Sequence, residues 1–371
     1  VSLEAARQSI VLLKNDHGTL PLAAGVGSIA VVGPNADDNW AQIGDQAPTH
    51  HREQVVTILD GIRTRAAAAG IEVRHAAGCA IRDPSTNGFE AAVAAANASD
   101  LVVAVVGDSC RIRYPRAGET NGARSDNTDC GEHVARATLD LSGAQDELLR
   151  ALHATGKPLV VVLVHGRPLS INWAAQHAAA VVDAWYPGDR GGTAVAEVLF
   201  GDYNPGGKLA VSIPKHVGQI PVYYYHRHPR LRYVEMDSSP LYPFGFGLSY
   251  TTFAYRSVRL EPASITVGES AEVVVEVANT GPVAGDEVVQ LYLRDDLCSV
   301  VRPELELKGF RRVHLKAGAT ETVRLSLGPD QLCCYGAGER WVVEPGTFTV
   351  MVGGCATDLP LTATLEVGGG T

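Results

Sequence analysis

Asp129-Cys130-Gly131-Glu132-His133-Val134-Ala135-Arg136 is the stretch of this sequence best placed to do chemistry. It follows an apolar run at 101–106 that ends in Gly107-Asp108-Ser109, and it precedes Leu139-Asp140-Leu141 and a helix-like run at 144–149. Its carboxylates therefore belong to a polar loop at the carboxyl end of a buried strand, where open α/β sheets place their reacting groups. A carboxylic acid in a cleft can protonate a leaving group and later take a proton from water, once burial or a neighbouring charge tunes it. Glu132 is the candidate for that role, and Glu119 in the same loop is its rival. Arg136, four residues after Glu132, is placed to hold or tune it. A solvated surface glutamate would carry the same signature, so the residues alone leave both readings open.

Three further loops follow apolar runs: Gly33-Pro34-Asn35-Ala36-Asp37-Asp38, His165-Gly166-Arg167-Pro168 and Trp185-Tyr186-Pro187-Gly188-Asp189. If the runs are parallel strands of one sheet, all four loops emerge on the same rim and distant polar residues converge. Other chemistries fit that rim poorly. No Gly-x-Gly-x-x-Gly or Gly-x-x-x-x-Gly-Lys-Ser/Thr turn is present, and Pro34 removes a backbone donor where a phosphate nest needs one. No Gly-x-Ser-x-Gly elbow marks a serine hydrolase. His50-His51, His216 and His226-Arg227-His228 lack the helical His-x-x-x-His spacing of a metal site, so no metal is expected.

The elements that must position these loops come in two kinds. Strands are expected at 29–32, 101–106, 159–164 and 181–184, alternating with helices at 3–14, 56–69, 88–98, 144–154 and 193–200. Apolar strands bounded by turn residues and alternating with such helices indicate βαβ units and a mainly parallel sheet covered on both faces. From about residue 253 the periodicity falls to two, at 272–277, 288–293, 322–327 and 348–352. The turn signals Asn279-Thr280-Gly281-Pro282, Lys316-Ala317-Gly318 and Glu344-Pro345-Gly346 separate these runs, which is the pattern of a β-sandwich. The divisions drawn are an α/β domain at 1–220, an aromatic and proline-rich connector at 221–252, and a β-sandwich at 253–371.

Composition narrows the field. Of 371 residues, 46% are hydrophobic and 19% charged, the balance of a globular chain with room for two cores. A net charge of −10 argues against a nucleic-acid partner, since phosphate binding needs a basic stripe. No apolar run reaches the ~18 residues of a membrane span. The first residues, Val1-Ser2-Leu3-Glu4, lack an initiator Met and lie inside a helical pattern, which leaves localisation open. The seven cysteines form no Cys-x-x-Cys pair. Cys110 and Cys130 bracket the polar loop, and a bridge there would contribute roughly 3 kcal/mol by the loop-entropy model. The odd count, however, is unlike a disulfide framework. Asn97-Ala98-Ser99 matches a glycosylation sequon on paper only.

Several blocks resemble the C-terminal part of glycoside hydrolase family 3, the β-glucosidase and β-xylosidase family. They include Ser9-Ile10-Val11-Leu12-Leu13-Lys14-Asn15-Asp16, Ile29-Ala30-Val31-Val32-Gly33-Pro34-Asn35-Ala36-Asp37 and Leu199-Phe200-Gly201-Asp202-Tyr203-Asn204-Pro205-Gly206-Gly207-Lys208-Leu209. The most specific is Tyr242-Pro243-Phe244-Gly245-Phe246-Gly247-Leu248-Ser249-Tyr250-Thr251-Thr252-Phe253. Arg302-Pro303, Leu307-Lys308-Gly309-Phe310 and the stretch 341–354 resemble the family's fibronectin type III-like domain. The resemblance implies a flavodoxin-like α/β sandwich followed by an all-β fibronectin type III-like sandwich, normally preceded by a (β/α)8 barrel.

In that family the barrel carries the aspartate nucleophile, and the sandwich lends a glutamate from a Glu-x-x-Asp-Arg loop. Glu132-His133-Val134-Ala135-Arg136 before Leu139-Asp140-Leu141 fits this frame better than Gly118-Glu119-Thr120. The implied activity is a retaining exo-β-glycosidase that removes terminal β-D-glucosyl or β-D-xylosyl residues from an oligosaccharide or aryl β-glycoside. Glu132 is then the general acid/base, the barrel domain is a partner, and no cofactor is needed. Trp40, Asp45 and Arg136 are the further candidates for the sugar site. Ala135 replaces the usual Asp, which removes the ion-pair partner expected for Arg136, and Asp189-Arg190 alters the charge after Tyr186-Pro187-Gly188. Without a nucleophile this chain is expected to be inactive alone. The competing reading is a non-catalytic carbohydrate-binding or protein-interaction module.

Overall fold

The computed structural model describes residues 1–47, 51–110, 127–132, 134–227 and 232–369. The chain divides into two compact units, Val1–Gly207 with Ile213–Ile220 and Lys208–Ser212 with Pro221–Thr371.

The first unit is built on a six-stranded sheet. Its strands are β1 (Val11–Asn15), β2 (Ser28–Val32), β3 (Glu72–Ala76), β4 (Leu101–Gly107), β5 (Leu159–Val164) and β6 (Ala180–Asp183), in the order β1-β6-β5-β4-β2-β3. Neighbours are parallel except β1, which runs antiparallel to β6. Every residue of β4, β5 and β6 is buried, as their unbroken Val/Leu/Ala sequences require when helices cover both faces. The helices are α1 (Ser2–Ser9), α2 (Asn39–Ile43), α3 (Ile58–Ala68), α4 (Phe89–Asn97), α5 (Gln145–His153), α6 (Asn172–His177) and α7 (Gly191–Phe200). Helices α1 and α3 both pack on α7, while α4 and α6 both pack on α5. The order of parallel strands reverses between β2 and β4, so the crevice over their carboxyl ends is the sheet's switch point.

The structure corrects part of the expected element list. The helix expected at 3–14 stops at Ser9, and Val11–Asn15 is a strand. Ile10, Val11 and Leu12 are all fully buried, as expected where both faces of the sheet are covered. Strand β3 and helices α2 and α6 were not anticipated. β3 is a half-exposed edge of sequence Glu-Val-Arg-His-Ala, without the apolar run that marks its neighbours.

The second unit is a β-sandwich. One sheet has the order β12-β9-β7 and the other β11-β10-β15-β16-β8. These are β7 (Phe253–Glu261), β8 (Ser264–Thr266), β9 (Ala271–Asn279), β10 (Gly285–Asp295), β11 (Glu306–Leu315), β12 (Thr320–Leu327), β15 (Gly346–Gly353) and β16 (Leu361–Gly368). A short helix α8 (Pro329–Leu332) leads into a two-stranded ribbon of β13 (Cys334–Tyr335) and β14 (Trp341–Val342). Val273, Val275 and Val277 of β9 meet Val289, Leu291 and Leu293 of β10 and Phe348, Val350 and Val352 of β15 in one core, the period-two pattern of two facing sheets. In this unit Tyr224 stacks on Phe244 at 4.2 Å between centroids and meets the buried Tyr292 edge-on at 6.0 Å.

Candidate functional site

Backbone geometry draws the rim loops of the first unit together. Gly33 has φ +117°, and a Cβ there would lie 2.1 Å from the Val105 carbonyl oxygen. Gly107 has φ +148°, with the Val164 carbonyl oxygen 1.9 Å from where its Cβ would be. Only glycine lets the loops after β2 and β4 leave the sheet this close to the next strand. Asn35, buried, donates from Nδ2 to the Asp108 carbonyl at 2.9 Å, joining the first loop to the second. Gln42 Nε2 donates to the carbonyls of Val56 and Gly188 at 2.8 and 2.7 Å, and the main-chain carbonyl of Gln42 accepts from the Gly188 N–H at 3.1 Å. This single amide ties α2 to the loop after β6.

Asp38 caps α2, its Oδ1 accepting from the N–H groups of Trp40 and Ala41 at 2.9 and 3.2 Å. Trp40 is half-buried. Just past the helix, Asp45 Oδ2 accepts from the backbone N–H of Glu132 at 2.7 Å. The carboxylate of Asp45 therefore fixes the main chain at position 132, while Glu132 itself is exposed. Gly131, φ +109°, fits against Asp45 where a Cβ would come 3.1 Å from Oδ2.

The same loop contributes to a buried cluster of charge. Arg136 Nη1 donates to Asp108 Oδ1 at 2.9 Å and to Asp129 Oδ2 at 3.3 Å, and Nη2 donates to the Asp140 carbonyl. Arg167 Nε lies 3.5 Å from Asp108 Oδ2. Asp129 also accepts from the Ser109 N–H at 2.8 Å and from Ser142 Oγ at 2.6 Å. Asp108 is 0% and Asp129 4% exposed. Burial, with the like charge of Asp129 beside it, pushes the Asp108 carboxyl up to about 6 against the pull of Arg136. The Asp missing at position 135 therefore does not leave Arg136 unpaired, since Asp108 and Asp129 take its place. The guanidinium pins the base of the loop.

A second ionisable pair lies at the carboxyl ends of the neighbouring strands β5 and β6. His165 Nε2 is 3.0 Å from Asp183 Oδ1, each side chain 1% exposed. Burial drives the imidazole toward neutrality, but Asp183 outweighs it and the His165 pKa is raised. Trp185, at φ +52°, lays its ring 4.7 Å from that of His165 and donates its backbone N–H to Asp183 Oδ1 at 3.0 Å. Cys110 and Cys130 are free, buried thiols, and Cys130 Sγ lies 3.1 Å from Tyr186 Oη. The adjacent Cys110 thiol and burial together push the Cys130 thiol up.

Of the residues singled out from sequence, Glu132, Asp45 and Arg136 gather at this rim, with Trp40 on the same short helix as the residues leading to Asp45. Glu119 and His133 lie outside the described residues. Sequence reasoning placed Asp108, Asp129, His165 and Arg167 in the rim loops without giving any of them a role, and it did not single out Asp183. The available signal was positional: Asp108 and Asp183 are the first acids at or just past the end of a wholly apolar strand. Chemically, the rim offers an exposed carboxyl whose backbone is fixed by Asp45, in a loop whose residues Asp129 and Arg136 belong to a buried ion-pair cluster.

The profile of the glycosyl hydrolase family 3 C-terminal domain matches residues 10–250, and that of the fibronectin type III-like domain matches residues 287–356. A β-xylosidase of Formosa agariphila is 45% identical over 366 residues, which is 95% of this chain and 48% of that protein. A periplasmic β-glucosidase of Salmonella typhimurium is 38% identical over 94% of this chain and 48% of its own length. Among solved structures, a β-glucosidase of Erythrobacter marinus superposes with a TM-score of 0.87 at 38% identity, covering 99% of this chain and 50% of that one. A β-glucosidase of Listeria innocua in complex with isofagomine does so with a TM-score of 0.87 at 32% identity, over 99% and 49%. The chain thus spans about half the length of the curated relatives it matches.

Proposed function

This chain belongs to glycosyl hydrolase family 3, and we propose that it supplies the general acid/base of a retaining exo-β-glycosidase acting on terminal β-D-glucosyl or β-D-xylosyl residues. A barrel domain outside these residues would supply the aspartate nucleophile, since the chain spans only about half of its relatives. Glu132 would protonate the glycosidic oxygen as that aspartate bonds to the anomeric carbon and the aglycone departs. It would then take a proton from the water that attacks the glycosyl ester, regenerating both carboxyls. Retention needs the two carboxyl groups about 5–5.5 Å apart.

The observation that carries this reading is the contrast at position 132. The side chain is exposed at the rim of the switch-point crevice, while its own N–H is held by Asp45 at 2.7 Å. An acid that must meet a substrate delivered by another domain needs both exposure and a fixed backbone. Asp45 and Arg136 act in this scheme as positioning residues, and Trp40 lies on the short helix that ends just before Asp45.

The test is Glu132→Gln in the full-length enzyme. Hydrolysis of substrates with poor leaving groups should fall by roughly 10²–10⁴-fold, the usual contribution of acid catalysis. Activated aryl glycosides should lose much less at the first chemical step, and added azide should restore their turnover as the glycosyl azide. An equal loss across all leaving groups would defeat the assignment and favour Glu119 or a purely binding role.

A further inference from the structure

The second unit contains a cluster that the glycosidase reading does not use. Cys298 lies in the connection after β10, Cys334 begins β13, and Glu344 follows β14. Their ligand atoms all lie within 4.8 Å of one another, and Cys298 Sγ is 3.6 Å from Cys334 Sγ. Both sulfurs belong to free cysteines. Two thiolates at ~2.3 Å from one tetrahedral ion stand about 3.8 Å apart, close to the separation found here. A disulfide would need the sulfurs at about 2.05 Å. Glu344 is already oriented by its neighbour, accepting from the Ser299 N–H at 2.9 Å and from the Ser299 hydroxyl. That is the kind of supporting contact that fixes a carboxylate ligand. Cys334 is buried while Cys298 and Glu344 are half-buried, so the cluster is walled on one side and open to an arriving ion on the other.

We infer that Cys298, Cys334 and Glu344 form a binding site for one thiophilic divalent cation, Zn²⁺ in the first instance. Two sulfurs and one oxygen are a borderline-soft donor set that zinc accepts and that calcium and magnesium do not. The three residues come from three separate segments, so the ion would clip the β10–β11 connection to the β13–β14 ribbon. Neither element is otherwise joined to the other by a strand ladder among the described residues. Binding converts two thiols to thiolates and releases their protons to solvent, with no change of oxidation state.

The experiment uses the full 371-residue chain, reduced and stripped of metal, and titrates it with Zn²⁺ alone by calorimetry and native mass spectrometry. One Zn²⁺ per chain is expected, with proton release, and Co²⁺ in its place should produce thiolate-to-cobalt charge-transfer absorption. Cys298→Ser and Glu344→Gln should each weaken binding by at least the roughly 10–100-fold that loss of a supporting group costs. Cys333→Ser, beside the cluster but outside it, should bind as the parent does. Far-ultraviolet circular dichroism of each metal-free variant confirms that it folds. The inference is overturned if the parent takes up no Zn²⁺, if Cys298→Ser binds undiminished, or if Ca²⁺ binds as tightly. It is also overturned if the untreated chain is two hydrogens light with Cys298 joined to Cys334.

Discussion

Replacing Arg136 with Met tests the account of the rim most severely. The guanidinium is 11% exposed and faces Asp108 at 2.9 Å and Asp129 at 3.3 Å, with those carboxylate side chains only 0% and 3% exposed. Removing one partner of a buried pair leaves uncompensated charge and costs about 3–5 kcal/mol. Arg167 still faces Asp108 at 3.5 Å and Ser142 still donates to Asp129, so the lower end, about 3 kcal/mol at pH 7.5, is the expected loss. The pH dependence carries a definite sign. Asp108 titrates at about 6 in the folded chain against 3.8 for the free side chain. Between those values the folded state holds the extra proton, so this group's contribution to stability falls as pH rises through 6. Without Arg136 its pKa moves higher still, so the loss should shrink as pH drops from 7.5 toward 5.

Urea unfolding followed by tryptophan fluorescence is the assay. Trp40, Trp173 and Trp185 belong to the first unit and only Trp341 to the second, so the signal reports mainly on the unit containing the cluster. The companion Asp108→Asn in the Arg136→Met background should recover part of the loss by removing the stranded charge. A loss below about 1 kcal/mol, the value of a surface pair, would refute the reasoning. So would a loss that is independent of pH or untouched by Asp108→Asn.

Two further outcomes are expected. The isolated chain should not hydrolyse aryl β-glucosides or β-xylosides, and addition of a family barrel domain should create activity; turnover by the purified chain alone, measured by aglycone release, would contradict the divided site. Gly107→Ala should leave little folded first unit, because the new Cβ would lie 1.9 Å from the Val164 carbonyl oxygen and φ is +148°. Soluble yield and near-ultraviolet circular dichroism measure that loss.

How far the sequence revealed the molecule depended on where each signal was local. β4 and β5 were legible because uninterrupted Val/Leu/Ala runs bounded by turns have few other uses. β1 was hidden because the helix before it runs into Ile10-Val11-Leu12-Leu13 with no capping residue between them, so helical and extended patterns merge. β3 was hidden because an edge strand needs no apolar face. At the rim, Glu132 was singled out by its resemblance to a family loop. Its supports could not be, since Asp45 is 87 residues away from Glu132 and Asp108 is 28 from Arg136. The proximity of Cys298 to Cys334, 36 residues apart, obeys no short motif and emerges only from the fold.

Strand β1 has a practical bearing on how this chain can be cut or fused. It covers β6, whose residues Ala180–Asp183 are all buried and which is otherwise paired on one side only by β5. A truncation or protease nick after Asn15 would bare a row of unpaired amides and carbonyls along an apolar edge, a template for chains to stack end to end into aggregates. Any shortened version or domain graft should therefore begin upstream of Val11.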